Sequence, residues 1–212
     1  MNETTHDNEA VGTVITADEA LLRLIDGNAR FLRGESRFTD MRPEMLAELA
    51  KGQQPFATVL GCADSRVPPE LIFDAILGEL FVVRVAGNVL SPDVSGSLQY
   101  AGVHLRTPLF VVLGHEGCGA IQAALESRFL GVQHRSRIQI LLDSIMPALQ
   151  NVDAALPPNE QLASAVEANI RWTMRQILES PEGKARVAAG EYKLVGAIYD
   201  IASGSVRFLQ SA

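Results

Sequence analysis

The sequence predicts an α/β fold: a mainly parallel β-sheet, with four parallel strands plus an antiparallel edge strand, surrounded by helices. Three observations carry this. Short apolar runs of strand length stand at 56–60, 80–85, 109–113 and 193–199. Stretches with helical spacing lie between the runs, and strand–helix–strand order implies parallel pairing with right-handed crossovers. A last run, Val206 to Leu209, follows a Ser203-Gly204 turn and so returns antiparallel.

Each element has its own signal. Residues 1–10 are polar and acidic and residues 1–16 read as a disordered tail, so the single catalytic domain is taken as 17–212. Asp18 is a candidate cap for a helix through Leu21, Leu24 and Ile25 that stops at Gly34. Its apolar positions must pack on the outside of the sheet or on a partner subunit. A second helix starts at Pro43 and ends near Ala50. After the first strand, Pro68-Pro69-Glu70 opens a helix to about Ile76, and Gly78 breaks it. The second strand ends at a Gly87-Asn88 turn, and a helix from about Val94 to Leu105 follows. The third strand leads into a helix over 119–130. Helices at 134–150 and 160–180 are separated by Pro157-Pro158, with Asn159 as a candidate cap. No internal repeat or low-complexity segment is visible.

Composition narrows the classes. A net charge of −7 argues against a nucleic-acid partner. No apolar run approaches the roughly 18 residues of a membrane span. The start of the chain lacks a basic n-region and apolar h-region, so a cytoplasmic protein is expected.

Two stretches hold the reactive side chains: Gly61-Cys62-Ala63-Asp64-Ser65-Arg66 after the first strand, and Gly114-His115-Glu116-Gly117-Cys118-Gly119 after the third. Two thiols and an imidazole suit Zn²⁺, and three protein ligands with a replaceable fourth position is the catalytic arrangement. Gly114, Gly117 and Gly119 let the backbone turn tightly around a ligand. Cys118 begins a helix, whose dipole favours thiolate. Other readings stay open residue by residue. Cys62 suits a core cysteine, His115 a satisfied buried histidine, and Asp64 with Arg66 a surface ion pair. The two cysteines could pair as a redox disulfide. A phosphate cradle would need a Lys-Ser/Thr pair or G-x-G-x-x-G, and neither is present. Ligands of open α/β sheets bind beyond the carboxyl ends of strands, where the order reverses. A shared metal would therefore make strands one and three neighbours, with strand two beyond strand one.

Cys62-Ala63-Asp64-Ser65-Arg66-Val67, followed by Gly114-His115-Glu116-Gly117-Cys118-Gly119-Ala120, closely resembles the paired signatures of the β-class carbonic anhydrases. The segment Gly78 to Asn88 resembles the stretch between them. The resemblance covers at least residues 18 to 125. It implies zinc-dependent reversible hydration of CO₂ to bicarbonate and a proton, with one Zn²⁺ per chain on Cys62, His115 and Cys118. Asp64 and Arg66 match the family's catalytic dyad, and Asp64 becomes a fourth ligand in the closed form. The CO₂ pocket is expected to be apolar, from Phe81, Val85 and Tyr100, partly supplied by the partner subunit, with the Gly119 N–H on a substrate oxygen. A homodimer or a tetramer of dimers is implied, with the first helix embracing the partner.

Departures matter as well. Asp74-Ala75-Ile76-Leu77 offers no amide where some members carry one, and no histidine stands out as a proton shuttle; His104 and His134 read as surface residues. Members that are switched by bicarbonate at a second site carry a Trp where this chain has Val59, beside Arg84 and Tyr199, so no cooperative switching is expected. Competing functions are hydrolysis of a CO₂ analogue, carbon disulfide or carbonyl sulfide, on the same scaffold, or a non-catalytic zinc-binding assembly module. A long closing segment would favour the first, and loss of a ligand or dyad member the second.

Overall fold

The structure, a computed structural model, describes residues 15–37, 43–190 and 192–209. The expected tail lies outside the described residues up to position 14, while Ile15 packs on the core and Thr16 caps the first helix.

Helix α1 runs Ala17–Arg33, and its cap is Thr16 rather than Asp18. The Thr16 hydroxyl accepts from the Glu19 N–H (3.2 Å), and Glu19 Oε2 accepts from the Thr16 N–H (2.8 Å), a reciprocal capping box. Helix α2 is Pro43–Leu49. Strand β1 is Ala57–Gly61 and β2 is Leu80–Arg84. Between them α3 covers only Pro69–Ile72 and stops short of the expected Ile76. The chain leaves the helix because Asp74 adopts φ 44° and turns its carboxylate inward. Helix α4 is Pro92–Val103, capped by the Ser91 hydroxyl. Strand β3 is Leu109–His115, two residues longer than its apolar run, because His115 still pairs with Tyr199.

Helix α5 is Gly119–Leu130. The expected 134–150 helix is shorter: α6 is Arg137–Ile145, followed by a 3₁₀ turn over Met146–Asn151 where Pro147 withholds an N–H. Helix α7 is Pro158–Glu179, and Pro157 rather than Asn159 stands at its cap position. Ser180-Pro181 ends it and opens an unanticipated helix α8, Pro181–Ala189. Strands β4, Lys193–Tyr199, and β5, Val206–Phe208, close the sheet.

Strand order is β2-β1-β3-β4-β5, parallel except for the β4–β5 pair. Alternation along the strands builds two layers. Val59, Leu109, Val111, Leu113 and Val195 face α1 and the end of α3. Leu60, Phe110, Val112, Leu194 and Ile198 face α5, α6 and α7. The order reverses between β1 and β3, so the loops after these two strands share one crevice. No helix among the described residues is long and apolar enough to cross a membrane.

Candidate metal centre

Cys62 is the first residue beyond β1, His115 the last of β3, and Cys118 the residue at which α5 begins. β1 and β3 are in direct register, with Gly61 opposite Leu113, so the two loops emerge side by side. Gly117 turns the second loop with φ 62°, a conformation that a side chain would strain. All three residues are buried, and their ligand atoms lie within 4.8 Å of one another.

The donor set fits a zinc ion. His115 Nδ1 lies 2.9 Å from the Glu116 carbonyl, which only accepts, so Nδ1 carries the proton and Nε2 presents its lone pair. That Nε2 is buried and has no hydrogen-bond partner among the described residues. The two sulfurs are 4.0 Å apart and share a proton. The hydrogen bond from Cys118, helped by the Asp64 and Gly87 amides, holds the Cys62 thiol well below the ordinary thiol range against burial. Donating to Cys62, burial and the Cys62 charge push Cys118 up, with the Ala120 and Ile121 amides of α5 opposing. A bound cation would take the place of the shared proton, with both sulfurs then serving as thiolates.

Asp64 lies at the rim, its Oδ2 3.9 Å from His115 Nε2. It is gripped by Arg66: Nε donates to Oδ1 (2.9 Å), Nη2 to Oδ2 (2.7 Å), and the Arg66 backbone N–H to Oδ1 (3.0 Å). These bonds hold the Asp64 carboxyl far below the usual carboxylate range. Arg84 braces the same loop, donating to the carbonyls of Cys62 (3.0 Å) and Asp64 (2.5 Å). Val59 is fully buried and Tyr199 nearly so.

Of the expected pocket residues, Phe81 and Val85 are half-buried against the core. Tyr100 is exposed, with its ring 6.2 Å from Phe81. Gly119 is exposed at the first turn of α5. His104 is exposed, its ring tilted against Tyr100 with centroids 4.9 Å apart, whereas His134 is half-buried with its Nε2 enclosed.

The sequence reading passed over two features of the centre. The Gly87 N–H donates to Cys62 Sγ (3.3 Å), and Asn169 of α7 donates to the Gly87 carbonyl (2.8 Å). Asn169 has a faint signal, an amide within the apolar stripe Val166, Ile170, Met174 and Ile177.

The sequence profile of one protein family, described as carbonic anhydrase, matches residues 57–206. A carbonic anhydrase of Mycolicibacterium smegmatis is 37% identical over 185 residues, covering 86% of this chain and 88% of its own. Carbonic anhydrase 2 of Mycobacterium tuberculosis is 37% identical over 183 residues, covering 85% of this chain and 87% of its own. Among solved structures, one of two tetrameric β-carbonic anhydrases from Sordaria macrospora superposes with a TM-score of 0.72 at 25% identity, covering 80% of this chain and 88% of that one. The β-carbonic anhydrase CafA of Aspergillus fumigatus superposes with a TM-score of 0.70 at 27% identity, covering 92% and 91%.

Proposed function

The chain belongs to the carbonic anhydrase family, in its β class, and from that premise we propose how its own residues carry out the reversible hydration of CO₂ to bicarbonate and a proton. The observation that carries the reading is the buried set of two thiols and one unpartnered imidazole nitrogen at the ends of β1 and β3.

Cys62, His115 and Cys118 hold one Zn²⁺ per chain. The ion supplies a Lewis acid that makes hydroxide available near neutral pH. Two thiolates offset its charge, so activity rises into the alkaline range relative to a three-histidine site. Asp64, ionised, can only accept a hydrogen bond. It therefore takes the proton side of the attacking oxygen and leaves a lone pair for the carbon of CO₂. Arg66 holds Asp64 away from the metal through the paired bonds described above. Without Arg66, Asp64 would move onto the metal as a fourth ligand and block the reaction. Phe81, Val85 and Tyr100 line the apolar approach for CO₂, and the Gly119 N–H meets a substrate oxygen.

The enzyme works as one catalytic domain over 17–212, assembled as a homodimer or a tetramer of dimers. Its ligand thiols must stay reduced, which suits the cytoplasm. Bicarbonate does not switch it cooperatively, because Val59 offers neither an N–H donor nor a wide pocket wall, and Arg84 is engaged with the Cys62 and Asp64 carbonyls.

The test is metal analysis together with stopped-flow CO₂ hydration. About one zinc per chain and hydration that is lost on chelation are expected. Protein without zinc, or turnover indifferent to chelation, overturns the reading.

A further inference from the structure

The turn after β2 carries a hydrogen bond to the centre although it belongs to neither signature loop. It is a 3₁₀ turn over Ala86–Asn88 in which Gly87 has φ 67° and Asn88 φ 43°. Two successive left-handed residues, one of them not glycine, persist only when their surroundings over-determine them. Here the surroundings are polar groups from α7. Asn169 Nδ2 donates to the Gly87 carbonyl (2.8 Å), and one turn later Thr173 Oγ1 donates to the Asn88 carbonyl (3.3 Å). Asn169 is 1% exposed, and its Oδ1 has no hydrogen-bond partner among the described residues. A buried amide that satisfies only one of its two polar ends, on a helix face that is apolar but for Thr173, is destabilising for packing alone. Its one bond runs to the peptide whose neighbouring N–H faces Cys62 Sγ at 3.3 Å. The position admits no other residue easily: a Cβ on Gly87 would sit 3.0 Å from Ile145 Cδ1 and 3.2 Å from Ala120 Cβ.

We propose that Asn169 is a positioning residue for the ligand Cys62, holding the Gly87 amide against its sulfur from a helix 82 positions away in sequence. The inference rests on the zinc reading above. An N–H bond to a ligating thiolate withdraws electron density from the sulfur and fixes its direction, so losing it changes both metal affinity and the metal–sulfur spectrum. A residue that only filled space would change neither.

The experiment compares holoenzyme of the natural chain with Asn169→Leu, Asn169→Ser and the packing control Ile177→Ala. Ile177 lies on the same buried face of α7, two turns beyond Asn169. Zinc affinity is read by competition with a chromophoric chelator, and the sulfur environment by the thiolate-to-metal absorption of Co²⁺-substituted protein. Both Asn169 variants should lose about 10–100-fold in zinc affinity and shift the Co²⁺ band. Ile177→Ala should lower the unfolding temperature while keeping affinity and band. If Asn169→Leu does not fold, Asn169→Ser alone decides. Affinity within about threefold of the natural chain with an unmoved band overturns the proposal, as does a control that shifts the band equally. A natural chain that takes up no zinc overturns the underlying reading instead, and this proposal with it.

Discussion

Asp64 and Arg66 are only two positions apart and form a bidentate pair, and in the proposed mechanism that pair decides whether the carboxylate serves the reaction or blocks it. Asp64→Asn tests the serving role. An amide of the same shape can donate as well as accept, so it no longer fixes the proton of the attacking oxygen. Turnover in CO₂ hydration should fall by about 10²–10³ with zinc content unchanged. Near-normal turnover would remove Asp64 from the mechanism. The centre was legible at this scale because its chemistry needs particular side chains at particular spacings. Cys62, and His115 with Cys118 three positions on, announce themselves as donors before any fold is known. Asn169 does not, since nothing in a helical stripe says which carbonyl a lone amide will meet. Arg84 was visible as a charge, but its bonds to the Cys62 and Asp64 carbonyls exist only after β1 and β2 pair.

At the scale of elements, α1 is the best case for reading one substitution against physical expectation. Gly27 sits mid-helix, where alanine would ordinarily be favoured by about 1 kcal/mol. Here a Cβ at residue 27 would lie 1.8 Å from the Phe73 carbonyl oxygen, a backbone atom that cannot swing away. Gly27→Ala should therefore lower stability, by about 1–3 kcal/mol, rather than raise it. A raised denaturation midpoint would mean that α1 docks elsewhere. Asn28, next to it, ties the helix to the Ile72 and Gly204 carbonyls and to the Val206 N–H. The cap of this helix is legible in the sequence, since Thr16-x-x-Glu19 is a capping box, although Asp18 stands closer to the apolar run. The early end of α3 was not readable, because it depends on Asp74, whose partners come from α1 and the segment after it.

Asp74 is 1% exposed and receives Arg30 Nε (2.6 Å), the Arg37 N–H (2.7 Å) and the Ser36 hydroxyl (3.1 Å). Burial pushes its carboxyl up, but these bonds and the Arg30 charge prevail and hold it below the ordinary range. A carboxyl depressed in the folded state stabilises above its unfolded value of about 3.9 and loses that stabilisation as pH falls through its lower folded value. Asp74→Asn should cost about 1–3 kcal/mol at pH 7. The gap to the natural chain should begin to narrow below about pH 4 and close as pH falls through the lower folded value, where both carry a neutral side chain. Denaturation midpoints of the two proteins at neutral and acid pH measure this, and a gap that stays constant would show that charge is not what Asp74 contributes.

For the whole molecule, strand order followed from chemistry rather than from pattern. Two loops can share a metal only if β1 and β3 are neighbours, and they are. Assembly rests on surface that one chain leaves uncovered. Helix α1 buries Ala20, Leu24, Gly27 and Asn28 on its own sheet. It presents a second stripe to solvent at 22, 25 and 32, with Leu22 58%, Ile25 42% and Leu32 48% exposed. Strand β2, reading Leu80-Phe81-Val82-Val83, is a half-buried apolar edge whose only strand partner among the described residues is β1. Such an edge invites further pairing unless something covers it. A second copy of the chain covers both features in the proposed dimer and brings its own Phe81 and Tyr100 near the approach for CO₂. Replacing Leu22 and Ile25 together by Glu places two unpaired carboxylates in that interface, which burial penalises heavily. Light scattering should then report monomer where the natural chain is a dimer or larger. Circular dichroism and zinc content should be retained, because neither residue touches the chain's own core or centre. Hydration by the variant should fall steeply and recover in part as protein concentration rises, since re-forming the dimer completes the pocket. A natural chain that is monomeric at working concentration, or a monomeric variant with full turnover, would show that one chain suffices.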